Sequence, residues 1–167
     1  MSTLATRTRV RTRFPKLGRL GYLMALYGEN FLRLQRMFEL SKLEPGRYRS
    51  AVGDALDLQV DVIERHRYTL DLRLTYELRD PETGEPDPSA YVRVYFDSRQ
   101  AEASHCYLGR RWQDVLGLRP ALPRLIGHRM RMNSFLSKWL EYLAEQGHSR
   151  FTLLPAERET GTADTLR

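Results

Sequence analysis

Hydrophobic positions along this chain change period twice, from helical spacing to alternation and back. Over residues 20–40, Leu23, Tyr27, Phe31, Leu34 and Phe38 recur every three or four positions, with Met24 and Met37 widening the stripe. That spacing predicts a helix with one apolar face. Gly28 lies inside it, where a missing side chain suggests close packing, and Glu29 and Asn30 are polar positions expected to make structural hydrogen bonds. Pro45-Gly46 ends the helix and turns the chain toward a sheet. From Arg47 to Leu78 the pattern alternates. Leu56, Leu58, Val60 and Val62 share one side, and Leu70, Leu72, Leu74 and Tyr76 form the matching row after a turn at Glu64-Arg65-His66-Arg67. This is a hairpin in which Asp61 or Asp57 opposes Arg73. Arg47-Tyr48-Arg49 begins a further strand.

A polar loop rich in proline and glycine follows at residues 80–89. Beyond it, Tyr91 to Leu108 is the stretch that organises the rest. Val92, Val94 and Phe96 face one way and Tyr91, Arg93 and Tyr95 the other, and a second strand follows a polar connection. Residues 109–130 show no clean period, and Pro120 and Pro123 interrupt them. The last element runs over about 131–146, where Met132, Phe135, Leu136, Trp139, Leu140 and Leu143 form an apolar stripe ended by Gly147. The expected fold is α+β: an antiparallel sheet of four or five strands, with the N-terminal and C-terminal helices covering its apolar face. Residues 20–154 form the domain, 1–19 a basic flexible arm and 155–167 a flexible tail.

Charge refines this picture. The chain of 167 residues carries a formal +6, and Arg7, Arg9, Arg11, Arg13, Lys16 and Arg19 supply all of it, because the remaining residues hold equal numbers of acids and bases. Within that neutral body, residues 39–102 carry 9 basic and 14 acidic side chains, while residues 103–138 carry 7 basic side chains against Asp114 alone. No segment approaches the roughly 20 apolar residues of a membrane span. The single cysteine, Cys106, excludes an intramolecular disulfide and suits a reducing, cytoplasmic setting.

Ordered fragments in the second half of the chain carry a family resemblance. Val92-Arg93-Val94-Tyr95-Phe96-Asp97-Ser98, then Ala101-Glu102-Ala103, and Asn133-Ser134-Phe135-Leu136 with Trp139-Leu140 are similar to the strand end and later helix of the bacterial domain of unknown function 1249. Arg67-Tyr68-Thr69, Leu23-Met24 and Asn30-Phe31 fit the same pattern, so the resemblance covers about residues 20–147. It implies a common fold and a common partner surface, with no assigned activity. This chain departs from the family pattern at Phe96, where a histidine is usual, around Arg119-Pro120-Ala121, and at Gly127-His128-Arg129, where an acidic-basic motif is usual.

Three function classes follow. The leading one is a noncatalytic protein-binding or regulatory module that recognises another protein through Arg67, Tyr68, Arg93, Tyr95, Asp97 and Glu102. Tyrosine offers contact area, and arginine offers directional, charge-assisted hydrogen bonds. The first alternative is nucleic-acid binding by Arg7, Arg9, Arg11 and Arg13 together with Arg110, Arg111, Trp112, Arg124, Arg129 and Arg131, where arginine meets phosphate and the indole stacks on a base. The second is an enzyme built on Asp97, Glu102, His105, His128 and Asn133. Neither a nucleophile triad, nor metal-ligand spacing, nor a phosphate-cradling loop marks the sequence, so no catalytic residue, metal or cofactor is assigned.

Overall fold

The computed structural model describes residues 18–76, 81–82, 84, 88–107 and 122–156. Two helices and six strands follow one another as α1 (Arg19–Phe38), β1 (Gly46–Ser50), β2 (Leu58–Arg65), β3 (Thr69–Tyr76), β4 (Ser89–Tyr95), β5 (Gln100–Tyr107), α2 (Leu122–Glu145) and β6 (Leu153–Pro155), with a short 3-10 turn at Leu40–Lys42. The strands form one antiparallel sheet in the order β5-β4-β3-β2-β1-β6. Five strands thus meander in chain order, and the sixth returns after α2 to pair with β1.

Alternation sorts the side chains between the two faces of the sheet. Leu58, Val60 and Val62, then Leu70, Leu72, Leu74 and Tyr76, then Val92 and Val94 lie in the core beneath Phe31, Leu34 and Phe38 of α1 and Leu136, Trp139 and Leu140 of α2. Ala90, Ala101 and Ala103 are fully buried, and the small side chains of Ala101 and Ala103 leave room for both helices over β5. Trp139 donates its indole N–H to the Tyr76 hydroxyl at 2.9 Å while the two rings meet edge to face, so the buried polar atoms of both are partnered.

Two bulges decide what the strand ends present. Val62 pairs with Leu72 but Glu64 with Asp71, so Ile63 is the extra residue and the alternation of β2 is reset. The reset turns Arg65 toward the helix side, where its guanidinium donates to the carbonyls of Leu40, Ser41 and Leu43. Likewise Tyr91 pairs with His105 and Val92 with Ala103, leaving Ser104 as the extra residue of β5.

Several details depart from the expectations above. Leu56 does not join the apolar row; it is 49% exposed in the loop before β2. Gly28 permits no close approach, since a Cβ placed there would meet nothing within 4 Å. Helix α2 starts at Leu122, and Pro123 sits in its first turn, where the absent N–H is not needed and the fixed φ suits a helix. The sheet has a sixth strand, which extends through Pro155, and Ala156 donates its N–H to the Arg47 carbonyl. At the end of α2, His148 donates to Leu143 and Gly147, at φ 98°, donates to Ala144, which closes the helix through a left-handed glycine.

Candidate functional site

The sheet face opposite the helices carries its polar residues in registered rows. One row runs from Arg47 through Asp61 and Arg73 to Tyr91 and His105. Asp61 accepts from Arg73 at 2.7 Å and lies 3.4 Å from Arg47, while the Arg73 guanidinium stands 5.9 Å from the centre of the Tyr91 ring. The expected pairing of Asp61 with Arg73 is therefore present, and Asp57 pairs with Arg49 instead.

The next row joins Glu64, Asp71, Arg93 and Glu102. Arg93 donates through Nε and through a terminal nitrogen to the two oxygens of Asp71, both at 2.7 Å. This fork-to-fork contact holds the guanidinium flat on the sheet and raises its pKa above the ordinary arginine value, although half of the side chain remains exposed. Beside it, Glu102 accepts from the Tyr95 hydroxyl at 2.9 Å and from Arg129 of α2 at 2.8 Å. Burial and then the Glu102 carboxylate raise the pKa of Tyr95, which stays a neutral donor.

The β2–β3 and β4–β5 turns lie at the same end of the sheet and are joined by the Phe96 N–H donating to the Tyr68 carbonyl. Tyr68 is exposed with the Arg67 guanidinium 5.1 Å from its ring centre, and Asp97 is exposed with its carboxylate accepting from the Ser98 N–H. Arg67, Tyr68, Arg93, Tyr95, Asp97 and Glu102 therefore share one end of β3, β4 and β5. Their neighbours Asp71, Arg73 and Tyr91 complete the surface. None of the three is among the residues assigned to recognition from the sequence: Arg73 is expected there only as the partner of an aspartate and Tyr91 only on the polar side, while Asp71 is not named, though alternation within β3 places it there.

Of the basic candidates, Arg7, Arg9, Arg11, Arg13, Arg110, Arg111 and Trp112 lie outside the described residues. Arg124 is exposed at the start of α2, Arg129 turns to Glu102, and Arg131 is exposed on a different side of the helix. The residues weighed for acid-base chemistry are engaged in other contacts. Asn133 is fully buried and binds backbone: its Oδ1 accepts from the Ala103 N–H at 2.7 Å, and its amide nitrogen donates to the Arg129 carbonyl at 2.9 Å and the Ala103 carbonyl at 3.5 Å. Asn30 donates to the side chain and carbonyl of Asn133, both at 3.4 Å. His105 packs edge-on against Tyr91. His128 has its pKa lowered by burial and by Arg131. Among the described residues, no three His, Cys, Asp or Glu side chains gather as a metal site, and no helix is long and apolar enough to cross a membrane.

A family model described as "Protein of unknown function (DUF1249)" matches residues 33–149, from the middle of α1 to just past the end of α2. No curated protein and no solved structure matches the chain.

Proposed function

We propose that this chain, which belongs to the DUF1249 family, is a noncatalytic protein-binding module whose contact surface is the end of the sheet around Arg93 and Tyr95. One observation carries this reading: the face opposite the helices is a charge-balanced lattice in which Arg73 and Arg93 are each clamped by a carboxylate beside tyrosine rings. Clamped side chains have already lost much of their rotamer freedom, so a partner immobilises them at less entropic cost. Balanced charge with interleaved tyrosine complements a protein surface of mixed polarity, whereas a polyanion would find Arg73, Arg93 and Arg129 already neutralised by Asp61, Asp71 and Glu102.

The test compares the full chain with an Arg93→Ala/Tyr95→Ala double variant. Affinity capture at moderate salt identifies a protein partner, and calorimetry with that purified partner measures the difference. Truncating a central tyrosine-arginine contact costs at least about 2 kcal/mol, or roughly thirty-fold in Kd. An unchanged Kd in a variant that melts as the parent does sinks the assignment.

A further inference from the structure

A groove of about 640 Å³ opens between the beginning of α1 and the middle of α2. Arg19 stands on one wall, with Arg131 and Lys138 on the other, and no carboxylate lines it. None of these three cations makes an ion pair with a described residue, in contrast to Arg47, Arg73, Arg93 and Arg129, which all do. Tyr22, itself 51% exposed, and the half-buried Phe135 and Met130 supply flat and apolar surface between the charges.

We propose that this groove binds single-stranded nucleic acid, with its cations on the phosphates and Tyr22 and Phe135 against the bases. Arg131 and Lys138 are separated by seven residues, about 10 Å along the helix axis, and Arg19 faces them from α1. Cations spread along a groove suit a repeating anion, whereas a lone phosphate is held by donors that converge on it. An acidic peptide would satisfy the charges but leave the aromatic surface without a flat partner. A duplex turns its phosphates outward and keeps its base faces stacked, so it too leaves Tyr22 and Phe135 unused. The proposal does not depend on the sheet-face reading, since the two surfaces share no residue.

Fluorescence anisotropy of a labelled oligo-deoxythymidine, titrated with the full-length chain over a range of salt, tests the proposal. Each phosphate contact on a single strand contributes about 0.7 to the slope of log affinity against log salt, so Arg131→Gln/Lys138→Gln should make that slope shallower by about 1.4. The matched pair Arg36→Gln/Lys42→Gln removes the same charge from the other end of α1 and the turn after it, and should leave the slope unchanged. Tyr22→Ala should weaken the single strand about five-fold or more while sparing a duplex of the same length, because only the single strand offers a base to stack. All five side chains are exposed or partly exposed, and thermal melts verify folding. Three results would overturn the proposal: no binding, equal losses in the two charge-matched pairs, or equal loss of duplex and single strand in Tyr22→Ala. Equally tight binding of a labelled poly-glutamate peptide, insensitive to Tyr22→Ala, would reassign the groove to acidic protein segments.

Discussion

Replacing Asn133 by alanine should destabilise this protein more than any surface change, and the structure sets the size. The Asn133 amide closes on both backbone groups of Ala103, the N–H at 2.7 Å and the carbonyl at 3.5 Å, on the side of β5 away from β4, the outer strand among the described residues. A helix side chain thus stands where another strand would pair. Removing it orphans the buried Ala103 N–H and leaves the Asn30 amide with only the Asn133 carbonyl, while the Arg129 carbonyl keeps its place in the helix ladder. An unsatisfied buried donor costs about 1–3 kcal/mol, so the first loss and the weakened second contact together come to about 3 kcal/mol. With a urea m-value of about 2 kcal/mol/M, the midpoint should fall by roughly 1.5 M, read from the fluorescence of the buried Trp139 and by circular dichroism. Asn133→Asp keeps the acceptor and removes the donor, and should recover only part of the loss. The Asn30 Oδ1 has no hydrogen-bond partner among the described residues, so Asn30→Leu should cost less than Asn133→Ala, and the double variant should cost less than the sum. A midpoint shift under about 0.5 M for Asn133→Ala would refute this account, because water would then replace the amide at little cost.

Two further outcomes are expected. Gly28→Ala should stabilise the chain by about 1 kcal/mol, since the new methyl meets nothing and the helix loses its least favourable interior residue; an unchanged melting temperature would contradict this. His148 is buried beside the Ser50 hydroxyl, 2.8 Å from Nδ1, and burial holds its pKa below the ordinary value. The folded state therefore keeps the neutral ring. The stability this contributes is fully present above the unfolded pKa of about 6.5 and is lost as pH falls through the lower folded value. His148→Gln should flatten the decline of denaturation midpoints in that window. The remaining slope should come in part from His128, whose pKa burial also lowers, and an unflattened profile would show that His148 is not the titrating group.

Most of the sheet was legible because its strands bury one face only. Leu70, Leu72, Leu74, Tyr76, Val92 and Val94 took the positions that alternation predicted, and the resemblance drawn from the Val92–Ser98 and Asn133–Leu140 fragments agrees with the family match over residues 33–149. Leu56 and Pro123 misled for opposite reasons. One is apolar but precedes the strand, and the other is a helix breaker only beyond the first turn. Strand β6 has three residues, too few for a period. In the site, the polar side of β4 was readable but its partners were not. Asp71 faces Arg93 only in a register set across the proline-rich connection after β3. The Asn30–Asn133–Ala103 contacts join residues up to 103 positions apart, and no local pattern encodes them.

Helix α2 links the two surfaces through three alternate residues. Arg129 reaches round β5 to Glu102 on the sheet face, Arg131 enters the basic groove, and Asn133 fixes the helix to the β5 backbone between them. The angular spacing of these positions on a helix, about 200° for two residues, requires that neighbouring odd-numbered side chains diverge. The anchor at Asn133 thereby holds both neighbours in place. Its loss should blur the sheet face and the groove together, whereas Arg93→Ala/Tyr95→Ala and Arg131→Gln/Lys138→Gln should each disturb one surface alone. Observing both patterns would separate a fold that presents two independent surfaces from a single continuous surface wrapped around the edge of β5.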